Sequence, residues 1–222
     1  MKVVVKLGGS LIMEAPGLVS RLVKEFGPGK PESAEKGGIS GRSPFSILIV
    51  PGGGMFADAV RKADETFGLG PDASHWMAVL GMEQYACYLL DKSGARGADS
   101  IKGLPPGVTV LLPYRLLRAE DPLPHSWDVT SDTIAAWAAK QTEARLVKAT
   151  DVDGIFREGK LLKEVTAAEL TGNGSSCIDP ALPGFLLENR MECMIVNGKY
   201  PERVLRAVYG EPVPGTAVKG NI

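Results

Sequence analysis

Two glycine-rich turns, each directly after an apolar run, are the first features with a chemical use. The apolar run at 2–6 is followed by a glycine pair at 8–9, and the run at 46–50 is followed by a proline and three glycines at 51–54. At the carboxyl ends of neighbouring parallel strands, such glycines let backbone N–H groups approach a phosphate with no Cβ in the way. Lys6, at the mouth of the first turn, would add a positive charge for a transferring phosphoryl group. The alternative is that both are ordinary turns between a strand and a helix.

Two acidic motifs lie at later boundaries between predicted elements. The sequence Thr-Ser-Asp at 130–132 puts Asp132 at the start of a predicted helix, where an N-cap is the alternative role. The sequence Thr-Asp-Val-Asp-Gly at 150–154 follows a predicted strand, and Asp151 and Asp153 could contact a nucleotide or its magnesium ion. Asp-Gly is also typical of a hairpin turn, which is the alternative for this motif. With the glycine turns, these motifs predict phosphate chemistry at the ends of four strands.

The elements that must position these residues alternate between strands and helices. Apolar runs predict strands at 2–6, 46–50, 108–112, 145–149 and 193–196. Helical spacing predicts helices at 17–26, 56–66, 74–92, 132–142 and 201–209, with a short hairpin at 155–163. This alternation predicts an α/β fold with a mostly parallel sheet covered by helices on both faces. The polar segment 27–44 is predicted to be a surface loop, and residues 1–222 a single domain.

Composition and missing motifs exclude several classes of protein. The chain has 222 residues, and its 25 basic and 26 acidic side chains give a net charge of −1, which argues against a nucleic-acid or anionic-membrane binder. Its apolar runs are far shorter than the ~18 residues of a membrane-spanning helix, and Lys6 and the following glycines interrupt any secretory signal. The signatures of P-loop enzymes, Rossmann dehydrogenases, zinc peptidases and α/β-hydrolases are absent. With three scattered cysteines that we interpret as reduced thiols, we expect a soluble cytoplasmic protein with no nucleic-acid or membrane partner.

Taken in order, the motifs resemble those of the amino acid kinase family. They are KLGGS at 6–10, PGGG at 51–54, the S-D-x-x-A helix start at 131–135, TDVDGIF at 150–156 and a closing GTAV at 215–218. The resemblance covers nearly the whole chain. It implies an open three-layer αβα sandwich that transfers the γ-phosphoryl group of ATP, with magnesium, directly to a small-molecule acceptor. It also favours a homo-oligomer.

The resemblance implies a role for each matching residue. Lys6 would stabilise the transferring phosphoryl group, Asp132 would orient that lysine, and Gly8 and Gly9 would donate backbone N–H groups to the phosphoryl group. The residues along the phosphates and the nucleotide would be Gly8, Gly9, Ser10, Thr150, Asp151, Asp153 and Gly154. The acceptor side would be lined by Gly52, Gly53 and Gly54. We expect Lys6→Ala and Asp132→Asn to lower kcat by about two orders of magnitude each with the fold intact.

One departure from the family concerns a second catalytic lysine. Several members carry it late in the chain, but the corresponding segment here, 172–180, contains no lysine. This absence counts against acetylglutamate kinase activity. Lys148 is a candidate for the missing charge, and a surface charge at the end of a strand is the alternative interpretation.

Within the family, three segments are similar to the kinases of methanofuran biosynthesis. They are PHSWDVTSD at 124–132, CIDP at 177–180 and VNGKYPER at 196–203. That group phosphorylates [5-(aminomethyl)furan-3-yl]methyl phosphate to the diphosphate. The resemblance therefore implies that this phosphate is the acceptor.

Residues in and near the first of these segments are compatible with such an acceptor. Trp127 could stack on a flat ring, and Asp128 could pair with an aminomethyl cation. His125 or Arg61 could hold the acceptor phosphate. The alternatives are that Trp127 belongs to the core and that Arg61 is a solvated helix residue.

Other functions stay open at this point. The same fold could phosphorylate isopentenyl phosphate or a nucleoside monophosphate, although the polar segment 124–132 disfavours an isoprenoid. The chain could also be a non-catalytic nucleotide-binding homologue. A further alternative is an unrelated α/β binding domain whose glycines only make turns.

Overall fold

A computed structural model gives the structure of residues 1–27, 44–172 and 177–220. The strands are β1 (Lys2–Leu7), β2 (Ser46–Pro51), β3 (Arg96–Ala98), β4 (Gly107–Leu111), β5 (Arg145–Thr150), β6 (Phe156–Arg157), β7 (Lys160–Leu161), β8 (Glu164–Thr166), β9 (Glu192–Asn197) and β10 (Thr216–Lys219). The helices are α1 (Ala15–Phe26), α2 (Gly54–Phe67), α3 (Pro71–Ser93), α4 (Pro113–Glu120), α5 (Ser131–Thr142), α6 (Ala167–Leu170), α7 (Leu182–Glu188) and α8 (Pro201–Tyr209). A 3-10 turn, Gly9–Leu11, follows β1.

The central sheet is mixed but mostly parallel. Within the described residues, eight strands form it in the order β3-β4-β2-β1-β5-β9-β10-β8, and β6 and β7 form a separate hairpin. The strands from β3 to β9 in that order run parallel to one another. β10 is antiparallel to β9 and parallel to β8. The carboxyl ends of β1, β2 and β5, where the predicted motifs begin, therefore meet at one edge.

Helices cover both faces of the sheet, as the alternation of the sequence predicts. Val3 and Val5 of β1 belong to an apolar cluster with residues of α1 and α8. Val4 belongs to a second cluster, with residues of α5 and α7. The predicted three-layer αβα class is thereby confirmed. Because side chains alternate along a strand, Lys6 lies on the same face as Val4, toward α5.

Several short elements differ from the sequence prediction. The structure adds β3, α4, β8, α6 and α7, none of which has a long apolar period. The predicted loop at 27–44 lies outside the described residues except at its two ends. In the part of the chain that the structure describes, no helix combines the length and the apolar character needed to cross a membrane.

Candidate active site

Two buried lysines and one buried aspartate form the centre of the site. Lys6 on β1 and Lys148 on β5 are register partners on adjacent parallel strands. They are only 6% and 4% exposed, and Asp132, in the first turn of α5, is 6% exposed. Lys6 Nζ lies 2.8 Å from Asp132 Oδ1, and Lys148 Nζ donates to the same oxygen. The interpretation of Lys148 as a surface charge is therefore wrong.

The shared carboxylate sets the charge of this centre. Burial, together with the neighbouring Lys148, lowers the pKa of Lys6 from 10.5 to about 8. Burial also acts to lower the pKa of Lys148, but Asp132 outweighs it and raises that pKa overall. Burial acts to raise the pKa of Asp132, and the two ammonium groups lower it well below its ordinary value. Two cations and one anion leave a buried net charge of +1, which suits a site that binds a phosphate.

A second buried aspartate, Asp179, holds Asp132 in place. Its backbone N–H donates to Asp132 Oδ2 over 3.0 Å. Its own carboxylate accepts hydrogen bonds from the backbone N–H and hydroxyl groups of Thr130 and Thr133 and from the N–H of Leu182. Asp179 thus satisfies the free N–H groups at the start of α5, so the alternative interpretation of Asp132 as the N-cap does not apply. Asp132 is free to bind the two lysines.

The two glycine turns approach each other closely at the end of β1. A Cβ on Gly9 would lie 2.6 Å from the backbone nitrogen of Gly54, and one on Gly52 would lie 2.8 Å from the nitrogen of Gly9. Only glycine allows this approach, so the prediction that the turns lie side by side holds for a physical reason. The N–H of Gly8 donates to the carbonyl of Ala149 over 2.8 Å, so the structure does not leave that group for the phosphoryl contact predicted for it. Gly9 instead borders a cavity.

This cavity has a volume of about 670 Å³, a size typical of small-molecule sites. The first turns of α2, α3 and α5 border it through Gly54, Ser74 and Ser131. At α2 and α5 the partial positive charge of the helix N-terminus favours anions, whereas at α3 the carboxylate of Asp72 in the first turn offsets it. The lysine pair and Asp132 are not among the described residues that line the cavity; Asp132 directly follows the lining residue Ser131 in the chain, and Lys6 comes three residues before the lining residue Gly9.

The structure brings some of the predicted acceptor residues into this cavity. Gly53, Gly54, Arg61, His125 and Trp127 line it, whereas Gly52 and Asp128 are not among its lining residues. Asp128 is exposed, and its backbone carbonyl accepts from Ala181. A carboxylate at this end comes instead from Asp64, whose Oδ2 accepts from Trp127 Nε1 over 2.6 Å.

The aromatic and basic residues of the cavity are already engaged with each other. The Arg61 guanidinium carbon lies 4.1 Å from the centre of the Trp127 ring, so that ring has one covered face. His125 Nδ1 and Nε2 contact carboxylate oxygens of Asp72 and Asp121 at 2.6 and 2.8 Å. Because both of its nitrogens are occupied, His125 does not fit the predicted role of phosphate ligand. Of the two residues predicted to hold the acceptor phosphate, Arg61 is therefore the one that remains.

The nucleotide residues predicted at the end of β5 form a connected network. Ser10 Oγ donates to Asp151 Oδ1 over 2.9 Å, which joins the ends of β1 and β5, and Thr150 donates to the same oxygen. Burial acts to raise the pKa of Asp151, but the hydrogen bonds from Ser10, from its own backbone and from Thr150, together with the charge of Lys199, lower that pKa overall, so the carboxylate stays charged. Asp153 accepts from Asn197 and from Arg203 at 2.9 and 2.6 Å.

Gly154 and the carboxylates of Asp151 and Asp153 also belong to the region at the end of β5. Gly154 has φ of +149°, and any Cβ there would collide with Thr216. Among the described residues, no group of three or more His, Cys, Asp or Glu side chains is placed to hold a metal ion. Asp151 is the carboxylate that fits a magnesium ion shared with phosphates, because Asp153 is paired with Arg203.

Sequence reasoning missed Asp179, Ser74, His75 and Asp64. Asp179 gives almost no signal, since its partners in α5 are 46 to 49 residues away. Lys148, in contrast, has a clear signal in the sequence, because it lies inside the run RLVKAT beside residues that are apolar or small. Lysine is seldom buried without a partner, so this position indicates a paired and functional charge.

Several known proteins are similar to this chain in sequence. Residues 104–197 match the amino acid kinase family. The [5-(aminomethyl)furan-3-yl]methyl phosphate kinase of Methanocaldococcus jannaschii is 32% identical over 217 residues, which cover 94% of this chain and 93% of that protein. A uridylate kinase of Methanocella arvoryzae is 32% identical over 107 residues, 40% of this chain and 47% of that protein.

Solved structures share the fold at low identity. The uridylate kinase of Archaeoglobus fulgidus has a TM-score of 0.66 and 20% identity, with 98% of this chain and 100% of that chain covered. The UMP kinase of Ureaplasma parvum has a TM-score of 0.69 and 13% identity, with 99% of each chain covered. The relatives are kinases, so the prediction of a phosphotransferase is confirmed. By its sequence along nearly its whole length and by its fold, the chain belongs to the amino acid kinase family.

Proposed function

We propose that the chain transfers the γ-phosphoryl group of ATP to [5-(aminomethyl)furan-3-yl]methyl phosphate and forms the diphosphate. The observation that best supports this proposal is the buried net charge of +1 at Lys6, Lys148 and Asp132, two of which are close in the chain to residues that line a cavity bordered by helix N-termini. The relative from Methanocaldococcus jannaschii, which matches over almost its full length, supports the choice of acceptor.

The reaction needs positioning and charge stabilisation rather than a covalent intermediate. An oxygen of the acceptor phosphate attacks the γ-phosphorus of ATP. The new P–O bond forms as the bond to the β–γ bridging oxygen breaks, and ADP carries that oxygen away. The attacking oxygen is already an anion, so no general base is required. This agrees with a site that offers two cations.

The lysine pair supplies the electrostatic part of the mechanism. Lys6 and Lys148 are held by one carboxylate oxygen, so both ammonium groups are fixed before substrate arrives. Such preorganised charge is worth far more in a dry site than in water, because it does not have to reorient during the reaction. Lys148 takes the place of the second lysine that the segment 172–180 lacks.

ATP would lie on the other side of Gly9, along Thr150, Asp151 and Gly154. Asp151 keeps its negative charge and would be the residue that holds a magnesium ion. Bound magnesium would neutralise part of the triphosphate charge. The acceptor phosphate would bind at the first turn of α2 and at Arg61.

A uridylate kinase is the second candidate, because relatives and solved structures of that kind share the fold. An isoprenoid phosphate fits less well, since Arg61, Asp64 and His125 give the cavity charged walls. The proposed localisation is cytoplasmic, and the proposed assembly is a homo-oligomer.

Phosphorus NMR tests the proposal directly. The purified protein is incubated with Mg-ATP and, separately, with the aminomethylfuran phosphate, isopentenyl phosphate and uridine monophosphate. We expect new diphosphate signals with the furan alone. Signals with another acceptor would refute the acceptor assignment, and no ADP with any of them would favour a non-catalytic nucleotide-binding protein.

A further inference from the structure

One buried hydroxyl group in the cavity has no partner. Ser74, in the first turn of α3, is only 4% exposed, yet its Oγ makes no hydrogen bond within the described residues. It lines the cavity. A buried hydroxyl without a partner costs free energy that an alanine would avoid. Such a group is explained when a ligand supplies the missing hydrogen bond.

The next residue, His75, offers a second free hydrogen-bonding group on the same cavity wall. Its ring stacks on His125 with centroids 4.0 Å apart and meets Trp76 edge-on at 4.7 Å. Burial and the positive charge of His125 lower its pKa to about 4. At neutral pH the ring is therefore uncharged, with one nitrogen able to accept a hydrogen bond.

The charges around this wall favour a cation. Hydrogen bonds to Asp72 and Asp121 raise the pKa of His125, and the two carboxylates outnumber the single imidazole, so this group has a net negative charge whether the ring is protonated or neutral. Asp58 and Asp64 line the same cavity. An isoprenoid chain would gain nothing from these carboxylates, and an uncharged base would gain only neutral hydrogen bonds, which are weaker than those of an ammonium group.

The wall also lies at a suitable distance from the phosphate end. At Gly81, α3 packs against Phe56 and Ala57 in the first turn of α2. Ser74 is seven residues earlier on the same helix, about 10 Å along its axis. An acceptor with a phosphate at one end and an ammonium group at the other side of a flat ring would span this separation.

We propose that Ser74 Oγ and the His75 ring bind the primary ammonium group of the acceptor and select for it. This inference rests on the proposed function. The ammonium group donates hydrogen bonds to the serine oxygen and to the unprotonated histidine nitrogen. His125, clamped by Asp72 and Asp121, is a positioning residue that fixes the His75 ring.

The test compares two acceptors and four proteins. The acceptors are the aminomethylfuran phosphate and the analogue in which the aminomethyl group is a methyl group. The proteins are the unchanged chain, Ser74→Ala, His75→Phe and the control Ser93→Ala, which removes a buried hydroxyl at the far end of the same helix. His75→Phe keeps an aromatic ring against His125 but removes both nitrogens.

We expect Ser74→Ala and His75→Phe each to lower kcat/KM for the amine by about tenfold and to leave the methyl analogue within about twofold. The melting temperature of Ser74→Ala should equal or exceed that of the unchanged chain. The control should lose stability and keep its preference for the amine. An equal loss on both acceptors, or none on the amine, would overturn the inference.

A second measurement separates this inference from the proposed function. If the unchanged chain phosphorylates neither acceptor, the proposed function fails. Calorimetric binding of the amine and of its methyl analogue without ATP then tests the binding role of Ser74 and His75 alone. Tighter binding of the amine that is lost in Ser74→Ala would support the inference. Equal binding of both ligands would refute it.

Discussion

Lys6 and Lys148 occupy opposite positions on two adjacent strands and bind the same oxygen of one carboxylate. Each lysine therefore neutralises only part of the charge of Asp132, and one positive charge stays uncompensated in a buried place. A fold gains nothing from this arrangement, because an apolar pair in these positions would cost less. The arrangement is useful when an anion arrives. Substitutions of Lys148, Asp132 and Lys6 should therefore show which of these side chains the fold needs and which the reaction needs.

Lys148→Met should lower kcat by about 100-fold without lowering the melting temperature. The substitution removes the uncompensated charge and leaves Lys6 and Asp132 as a balanced pair, so the fold loses little. Steady-state kinetics and thermal unfolding on the same samples measure the two effects. Lys102→Met, at an exposed lysine, is the control. Unchanged turnover in Lys148→Met would exclude Lys148 from the mechanism.

Asp132→Asn should lower both activity and stability, which corrects the expectation that the fold stays intact. The asparagine would leave two buried ammonium groups without a carboxylate. Breaking a buried ion pair in this way costs about 3–5 kcal/mol. Chemical unfolding of Asp132→Asn beside Lys6→Ala measures the difference, since Lys6→Ala leaves the remaining pair balanced. Equal stability in the two variants would contradict this account of the charges.

The alkaline side of the pH profile should report Lys6. Its pKa of about 8 in the folded chain means that kcat/KM falls as the pH rises above 8. The same residue has a pKa of 10.5 in the unfolded chain, so between these values the unfolded state binds more protons and the contribution of Lys6 to stability rises with pH. Activity and this contribution to stability should therefore move in opposite directions.

Lys148→Met provides a check on that assignment, because the charge of Lys148 is one cause of the lowered pKa of Lys6. In the residual activity of this variant, the alkaline limb should move to higher pH. An unmoved limb would assign the titration to another group.

Most of the framework could be predicted from the sequence, whereas the connections between distant residues could not. The buried positions of β1, β2 and β5 are mostly apolar because both faces of these strands are covered, and such strands are easy to recognise. β3 reads RGA and lies at the edge of the sheet, so neither length nor apolar character marks it. α7 begins at Leu182 and has only seven residues, too few for a helical period to stand out.

The same division holds within the site. The glycine turns are visible in the sequence because close backbone approach demands glycine at Gly9 and Gly52. The occupation of both His125 nitrogens is not, since it depends on Asp72, 53 residues earlier in the chain. The type of a residue does not show which of its side-chain atoms already have hydrogen-bond partners, so a role predicted from residue type alone can fail.

Asp179→Asn should destabilise the chain by about 3 kcal/mol and lower kcat. The carboxylate accepts hydrogen bonds from Thr130, Thr133 and Leu182, and an amide offers a single acceptor oxygen in its place. The start of α5 would shift, and Asp132 with it. Chemical unfolding and kcat measure the two effects. Asp128→Asn, at an exposed aspartate in the loop before α5, is the control and should change neither stability nor kcat.

Arg61→Ala should raise KM for the acceptor by about tenfold and change kcat little. Its guanidinium lies over Trp127 and lines the cavity. In the proposed function it would contact the acceptor phosphate in the ground state as well as in the transition state. Removing such uniform binding affects KM rather than kcat. Arg61→Lys should restore only part of the affinity, since an ammonium group neither binds phosphate in a bidentate way nor stacks as well on an indole ring. Arg115→Ala, at an exposed arginine paired with Asp99 outside the cavity, is the control. A lower kcat with unchanged KM in Arg61→Ala would instead place the guanidinium against the transferring phosphoryl group.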